Sequence, residues 1–433
     1  MRISGLLLVC LAFAVPVPWF FSLSGDFPFG AIVSQYLAAL AVVALGIGQF
    51  LAARVPGTEV LFGGLDRIYV LHKWLAVFAL VCLGLHDVIN ADIDSLGRAT
   101  GLMDTAKDVG EVAFYGLLIL ALISVTLFIP YPYWRWSHRY IGVFFALGVF
   151  HYLFVQKPFD TLSPLGLYIL GFGLLGLVSY LYMVLLYARL PGPARYRVAG
   201  LDAYAGACEI IMQPLNTGIR HRPGQFAFFG FDLPGLSEVH PFTISAGPED
   251  GRELRICVKA LGGYTDELVA GVREGTKVRV FGAFGRFRMP KGNGPQVWIA
   301  AGIGITPFMA WARGLDAPNS GPIHLYYVVR SVEGAPFLGE LAAIAGAVPD
   351  FRLTVHNSTT QGRLTAAQLV QDHGSQMSAV SVSYCGPVAL RKQLFADLVA
   401  SGLKKSRFHY EEFEIRSGIG LLAAADWILR RFR

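Results

Sequence analysis

The 433-residue sequence predicts a membrane-embedded all-α bundle of six helices, followed by a small antiparallel β-barrel and an α/β nucleotide-binding fold. Three observations predict it. Up to about Tyr187 the chain is a series of apolar runs, each near the ~20 residues that a spanning helix needs. From Arg195 to about Pro290 it changes to short alternating strands set off by glycine and proline turns. From Gly294 a buried-strand pattern leads into a glycine turn and an apolar helix. The expected domains are therefore 1–190, 191–293 and 294–416, with a basic amphipathic tail over 417–433.

The bulk numbers agree with a divided chain. Residues are 54% hydrophobic and only 15% charged, and the net charge of +6 is too modest to suggest a nucleic-acid groove. The five cysteines, Cys10, Cys82, Cys208, Cys257 and Cys385, form no CxxC and no disulfide framework. That suits a reducing compartment for the last three.

The apolar runs are Gly5 to Leu23, Ala31 to Ala53, Ile68 to Val88, Val112 to Ile129, Trp136 to Val155 and Leu165 to Tyr187. The first has features of a signal peptide in Arg2 and Ala12-Phe13-Ala14, but it stays apolar past Pro16 and Pro18, which favours a retained helix. Arg2, Arg54, Arg67, Arg135, Arg139, Arg189, Arg195 and Arg197 fall on one side of such a bundle, whereas Asp26, Asp87, Asp92, Asp94, Asp104, Asp108 and Asp160 fall on the other. The positive-inside bias then places the N-terminus and the C-terminal half in the cytoplasm.

Four histidines are the only ones in the first 190 residues: His72 and His86, fourteen apart in the third run, and His138 and His151, thirteen apart in the fifth. Either spacing spans roughly 20 Å along a helix, most of a hydrocarbon layer. His72 and His138 come level near the inner face, and His86 and His151 near the outer one. Neutral imidazole is a common axial ligand for iron, so two such helices can clamp two b-type haems stacked across the bilayer. The alternative is four buried polar residues bonded to neighbouring helices. Fourteen residues return to within about 40° of one helix face, but thirteen miss by about 140°. The second helix is expected to be irregular, or to serve haems on different sides. Arg67, Lys73, Arg135 and Arg139 lie where they can meet haem propionates or simply anchor the inner face.

Within the barrel region, His240-Pro241-Phe242-Thr243-Ile244-Ser245 places polar side chains on alternate strand positions, as a planar ring with a ribityl-phosphate tail would need, although it also reads as an ordinary strand. Leu261-Gly262-Gly263-Tyr264-Thr265 is a glycine turn feeding a helix start. Its exposed amides suit a pyrophosphate, unless Asp266 and Glu267 already answer the helix dipole. The strand Gln296 to Ala300 runs into Gly302-Ile303-Gly304-Ile305-Thr306-Pro307, with Thr306 expected as N-cap and Pro307 as the first helical residue. The proline stands where a G-x-G-x-x-G fingerprint has its last glycine, so this is not a simple dinucleotide motif. The next strand ends at Arg330, placed for a ribose 2′-phosphate and favouring NADPH over NADH, or else a solvated strand end. Cys385-Gly386 closes a further strand where a nicotinamide would arrive.

The two spaced histidine pairs, HPFTIS, GIGITPF, YCGP and FHYEEF together resemble the transmembrane NADPH oxidase and ferric reductase superfamily, over about residues 1 to 416. The resemblance implies six spanning helices, two b-type haems on His72, His86, His138 and His151, and FAD lined by His240, Pro241, Phe242, Thr243 and Ser245, with Gly263 and Thr265 at its pyrophosphate. It further implies a nicotinamide cofactor held by Gly302, Gly304, Thr306, Arg330, Cys385 and Gly386, and a catalytic group of Cys385, Glu411 and Phe413, the last shielding the flavin ring. The tail beyond Glu411-Glu412-Phe413 departs from the pattern, and no calcium-binding loop precedes the core.

The expected activity is electron transfer from cytoplasmic NADPH through FAD and the haems to an outer acceptor, dioxygen giving superoxide. The alternatives are a ferric or cupric chelate as acceptor, or a membrane-anchored flavoreductase serving a quinone or protein partner. A bacterial inner membrane is the expected location. The lipid bilayer and a small-molecule or metal-chelate acceptor are the expected partners, with no protein partner evident. Asn90, one turn past His86, is a candidate for the outer edge.

Overall fold

The computed structural model describes residues 2–55, 57–89, 101–125, 129, 131–187, 194–292, 294–315, 321–374 and 377–411. Two compact units divide the chain at Leu190/Pro191, and each is described by itself. The expected roles of Asn90, Phe413 and the tail lie outside the described residues.

The first unit is helical. Its helices are α1 (Ile3–Ala14), α2 (Val17–Ser22), α3 (Phe29–Ala52), α4 (Thr58–Phe62), α5 (Leu65–Val88), α6 (Met103–Val125), α7 (Tyr131–Arg139), α8 (Ile141–Phe154) and α9 (Pro164–Leu181). Four stretches among the described residues are long and apolar enough to cross a membrane: Ile3–Ser22, Phe29–Ala52, Leu65–Val88 and Pro164–Leu186. The face of α3 rich in Ala and Gly lets neighbours approach closely, as small residues do in lipid. A Cβ on Gly46 would stand 2.3 Å from the carbonyl oxygen of Phe172 on α9. Ser163 begins α9 by accepting the Gly166 amide, with Pro164 at the first helical position. Arg54 ties one end of the unit together, donating to Tyr69 at 2.8 Å and to Tyr187 at 3.4 Å.

The apolar run from Trp136 to Val155 is not one helix, and the irregularity expected there is a break at Tyr140. The Tyr140 amide turns back to Ser137 O at 3.0 Å, α7 stops at Arg139, and α8 starts with Tyr140 O accepting from Val143 and Phe144. The break absorbs the angular mismatch of the thirteen-residue spacing and puts His138 and His151 on separate helices.

The second unit opens with six strands, β1 (Ala194–Tyr204), β2 (Ala207–Pro214), β3 (Phe226–Phe231), β4 (His240–Thr243), β5 (Leu254–Lys259) and β6 (Lys277–Phe284), and α10 (Tyr264–Gly271) lies between the last two. They form one antiparallel sheet in the order β4-β3-β6-β1-β2-β5, whose outer strands meet through an Ile244–Ile256 bridge. Tyr196, Ile210, Met212, Phe229, Phe231 and Ile256 fill its interior.

Next come β7 (Gln296–Ala301), α11 (Thr306–Ala312), β8 (Ile323–Val329), α12 (Leu338–Ala347), β9 (Phe351–Asn357), α13 (Ser358–Gln361), α14 (Ala366–His373), β10 (Ser381–Cys385), α15 (Val388–Ala400) and β11 (Phe408–Tyr410). Their sheet is parallel, in the order β11-β10-β7-β8-β9. Every residue of β7 and β8 is buried, as both-faced covering of a parallel sheet requires. Strand order reverses between β7 and β10, so the crevice at their carboxyl ends is the topological switch point where such sheets bind ligands. One apolar cluster joins Ala207, Cys257 and Phe287 to Trp298, Phe308 and Trp311, so the two lobes of this unit share a core.

A polar cluster sits beneath β8. His324, 3% exposed, faces His373 Nε2 through Nδ1 at 2.9 Å and Thr354 through Nε2 at 2.7 Å, while Tyr326 donates to Asp372. Burial, then Arg352 and His373, hold the His324 pKa down at about 4, despite the opposing pull of Asp372. An unfolded histidine binds its proton near pH 6.5, so between 6.5 and 4 the unfolded chain holds more protons and folding weakens as pH falls. Thermal unfolding of the whole protein in detergent is expected to show a midpoint that drops across this window, with a shallower drop in His324→Asn.

Candidate functional site

Each histidine of the first unit is fixed from a neighbouring helix through the same ring nitrogen. His72 and His86, both on α5, turn Nδ1 onto α3: His72 to Gly48 O at 2.9 Å, and His86 to Ser34 Oγ at 2.8 Å and Ser34 O at 3.0 Å. His138 on α7 and His151 on α8 turn Nδ1 onto α6: His138 to Ser124 Oγ at 2.9 Å, and His151 to Ala106 O at 2.7 Å. Carbonyl oxygens only accept, so His72, His86 and His151 carry the proton on Nδ1. Ser124 donates its one hydroxyl proton to Leu120 O at 2.7 Å and therefore accepts from His138. All four imidazoles thus present Nε2 as a lone pair, the arrangement in which second-shell acceptors orient metal-binding histidines.

The rings of His72 and His138 are 6.2 Å apart between centroids. Two imidazole nitrogens each about 2 Å from one metal stand about 4 Å apart, and ring centres about 1 Å further out on each side give about 6 Å. The donor set therefore fits a bis-imidazole metal centre. No cluster of three or more His, Cys, Asp or Glu metal ligands occurs among the described residues.

Gly110 on α6 was not legible as a site residue. A Cβ there would lie 2.3 Å from His151 Nδ1 and 2.7 Å from its Cε1. Alanine normally favours a helix over glycine by ~1 kcal/mol. In Gly110→Ala, however, the imidazole has to move, and a haem offered to His151 Nε2 is expected to be held about 10- to 100-fold more weakly than by the parent, the usual effect of disturbing an outer-shell support. Haem-to-protein ratios after titration measure it, and an unchanged ratio would reject this placement.

In the second unit, the strand and the glycine turn expected to share a cofactor do come together. His240 on β4 stacks on Tyr264 at the start of α10, with centroids 3.7 Å apart, and its Nε2 lies 3.8 Å from a Glu238 oxygen. The Tyr264 hydroxyl donates to Leu236 O and Glu238 O, and burial pushes its pKa up. Gly262 and Gly263 have φ of +116° and +49°, which glycine adopts at low cost, and a Cβ on either would meet open space. Thr265 Oγ1 accepts the Leu261 amide at 3.0 Å and Asp266 Oδ1 the Gly262 amide at 2.9 Å. These side chains cap part of the turn, so a phosphate has to compete with them or use the remaining amides.

The other strand positions divide. Pro241 is exposed, Phe242 packs on Phe229 at 6.2 Å, and Thr243 is buried at the strand end. Ser245 is fully buried, and its hydroxyl donates to Glu209 Oε1 at 2.7 Å. That hydroxyl is committed to Glu209 on β2.

At the switch point, Gly302 has φ of +58°, with open space where a Cβ would be. Gly304 packs against the next loop: its Cβ would lie 2.3 Å from Cys385 O and 3.1 Å from Cys385 Sγ. Gly386 likewise backs onto Ala301 and Tyr384. Thr306 is not the N-cap expected. A 3₁₀ turn over Gly302–Ile305 runs straight into α11, and the Thr306 hydroxyl donates back to Ile303 O at 3.0 Å. Cys385 is buried, and burial first, then the charge of Glu411, drives its pKa well above the ordinary thiol value. It is a neutral thiol at neutral pH, suited to packing rather than nucleophilic attack. Glu411 is buried beside it. Arg330 is exposed at the tip of β8, with its backbone carbonyl held by Thr359 at 2.6 Å.

With this geometry in hand, the chain can be set beside known proteins. Residues 37–149 match the ferric reductase like transmembrane component family and residues 207–299 an FAD-binding domain family. An NADPH oxidoreductase of Mycobacterium tuberculosis is 31% identical over 204 residues, covering 45% of this chain and 53% of that protein. The reductase component of a propane 2-monooxygenase of Mycolicibacterium smegmatis is 25% identical over 217 residues, covering 47% and 62%. A flavohemoprotein of Vibrio cholerae is 26% identical over 221 residues, covering 47% and 55%. The chain thus spans between about half and two thirds of the length of these curated relatives. Among solved structures, the flavohem-like FAD/NAD binding domain of a nitric oxide dioxygenase from Vibrio cholerae O1 biovar El Tor is 23% identical, with a TM-score of 0.45 over 51% of this chain and 98% of that one. The first unit is thus similar to a ferric reductase like transmembrane component and the second to an FAD-binding domain, and the chain shares about a third or less of its aligned residues with NADPH-linked and other reductases.

Proposed function

We propose that the chain is a transmembrane NADPH-dependent oxidoreductase that delivers electrons singly to dioxygen on the outer side of a bacterial inner membrane. The balance is NADPH plus two O₂ giving NADP⁺, H⁺ and two superoxide ions. The observation that carries the reading is the set of four imidazoles in the first unit, each held through Nδ1 by a neighbouring helix so that Nε2 is available. The ferric-reductase-like match over residues 37–149 contains three of them, His72, His86 and His138, and ends just before His151.

The reading uses six spans: the four apolar stretches above, with Met103–Val125 and the broken segment Tyr131–Phe154 completing the bundle. Its orientation follows the arginine bias, with the second unit cytoplasmic. When bound, FAD supplies conversion of a hydride pair into single electrons and the two b-type haems supply one-electron relay. His72 with His138 would hold the inner haem iron, and His86 with His151 the outer. His240, Phe242 and Thr243 would flank the flavin, the backbone amides of Gly263 and Tyr264 would donate to its pyrophosphate, and Gly302, Gly304 and Gly386 keep side chains out of the nicotinamide crevice. Arg330 offers a cation to a 2′-phosphate, which favours NADPH over NADH. Two imidazoles would be committed to each haem iron, so the haem would supply an electron to the acceptor without binding it.

Membrane vesicles supplied with NADPH on the cytoplasmic face test this. Reporter reduction on the outer face that superoxide dismutase abolishes supports dioxygen as acceptor. Reduction of a ferric chelate that proceeds equally in air and under anaerobic conditions, with no dismutase-sensitive signal, would replace it with a metal chelate.

A further inference from the structure

The interior of the second unit contains a charged cluster that the proposed electron path does not use. Arg313, the residue after α11, fills all five of its N–H donors. Nε and Nη2 each donate to Glu340 at 2.8 Å, Nη1 and Nη2 donate to the two oxygens of Glu209 at 3.0 and 3.2 Å, and Nη1 also donates to the backbone oxygen of Ser245 at 2.9 Å. The Arg313 side chain is 9% exposed and that of Glu209 2%. The guanidinium also lies over the Phe337 ring, 5.4 Å from its centroid. Burial works against the charge, and the bonds to Glu340 and Glu209 outweigh it, so Arg313 stays protonated.

The partners come from different lobes. Glu209 is on β2, and Ser245 lies two residues beyond Thr243 at the end of the HPFT strand. Arg313 closes the helix that the Gly302–Ile305 turn begins, and Glu340 is in the first turn of α12. Ser245 is held twice, through its hydroxyl to Glu209 and its carbonyl to Arg313. One guanidinium therefore grips the far end of the flavin-side strand and the far end of the nucleotide-turn helix. A fork of fixed, planar donors sets an angle as well as a distance, which a lysine ammonium cannot do.

We propose that Arg313 is the positioning residue that sets the orientation of the nucleotide lobe against the flavin lobe, and so the alignment of nicotinamide with flavin. It touches neither cofactor and acts through Ser245 and α11. This rests on the function proposed above for its catalytic consequence, but the orientation itself is open to a separate measurement.

The test uses the full chain in lipid nanodiscs with two readouts. For orientation, spin labels are placed at exposed Lys277→Cys on β6 and Lys392→Cys on α15, in a Cys10→Ser background because the other four cysteines are buried. The label-to-label distance distribution is expected to be single and narrow in the parent, and shifted or broadened in Arg313→Lys and Arg313→Met. For catalysis, anaerobic flavin bleaching by NADPH is followed at saturating NADPH, with FAD content measured in the same samples. Arg313→Lys is expected to keep its FAD and to bleach about 10- to 100-fold more slowly with little change in KM, since misalignment affects the reaction more than binding. Glu340→Gln, at the exposed rim, is expected to fall between the two.

Unchanged distance distributions in every folded variant would overturn the proposal, even where thermal stability falls. So would parental bleaching rates in Arg313→Lys. If the parent itself binds no FAD or is not bleached by NADPH, the functional reading fails, and the distance measurement still decides the role of Arg313.

Discussion

His72→Leu is expected to strip one haem from the protein and leave the other. Leucine fills similar space in the apolar interior but offers no lone pair, so His138, whose ring lies 6.2 Å from that of His72 between centroids, would be left to hold the group alone. Reduced b-type absorbance should fall by roughly half, and NADPH-driven transfer across the membrane should drop to background because the relay loses its inner station. His138→Leu should give the same result and His86→Leu or His151→Leu its mirror image at the outer station. Retention of both haems in any of these variants would break the pairing. Ser124→Ala, which removes only the hydroxyl behind His138, should weaken inner-haem binding far less, by about 10- to 100-fold.

Gly304→Ala is expected to have the largest effect in the second unit. The added methyl would stand 2.3 Å from the Cys385 carbonyl oxygen. That oxygen cannot retreat easily, because Cys385 ends a strand paired with Ala300 on β7. Either the Gly302–Ile305 turn or the Cys385–Gly386 loop must shift, and both line the crevice at the switch point. A displacement of about 1 Å typically costs reactions of this kind about 100-fold, so flavin bleaching by NADPH should slow by about that factor. Dithionite, which needs no nicotinamide site, should still reduce the haems normally. Slowing with both reductants would point to general unfolding, and no slowing with NADPH would remove the crevice from the mechanism.

Much of this architecture was legible in the sequence because it depends on patterns the chain cannot hide. Apolar runs of spanning length, the alternation of HPFTIS and the strand-turn-helix around GIGITPF each follow from where backbone groups must go. The four histidines stood out because they are costly in an apolar helix. The break at Tyr140 could be inferred only as some irregularity, since a thirteen-residue spacing says that a straight helix fails without saying where.

The supports behind the histidines were not legible. Gly48 and Ala106 act through backbone carbonyls, which carry no side-chain signature, and Gly110 matters for the room it leaves. Ser34 and Ser124 are polar residues in apolar helices, and that was the available clue. Nor could the sequence pair Glu209 with Arg313, 104 positions away, or show that the Ser245 hydroxyl faces that pair rather than the cofactor side. Cys385 can be read from its place at the strand tip either as a group at the nicotinamide or as a buried strand cysteine, and the structure buries it against Gly304.

Electron relay from the nicotinamide and flavin unit through haems held by the paired imidazoles of the first unit is the step on which the proposed activity depends. Its most direct measurement is the visible spectrum of the purified, haem- and FAD-loaded protein when NADPH is added under strict anaerobic conditions. The account predicts flavin bleaching accompanied by the sharpened bands of reduced low-spin b-type haem, reaching the same amplitude that dithionite produces. Flavin bleaching with haem bands that stay oxidised, or a protein that takes up no haem at all, would contradict it.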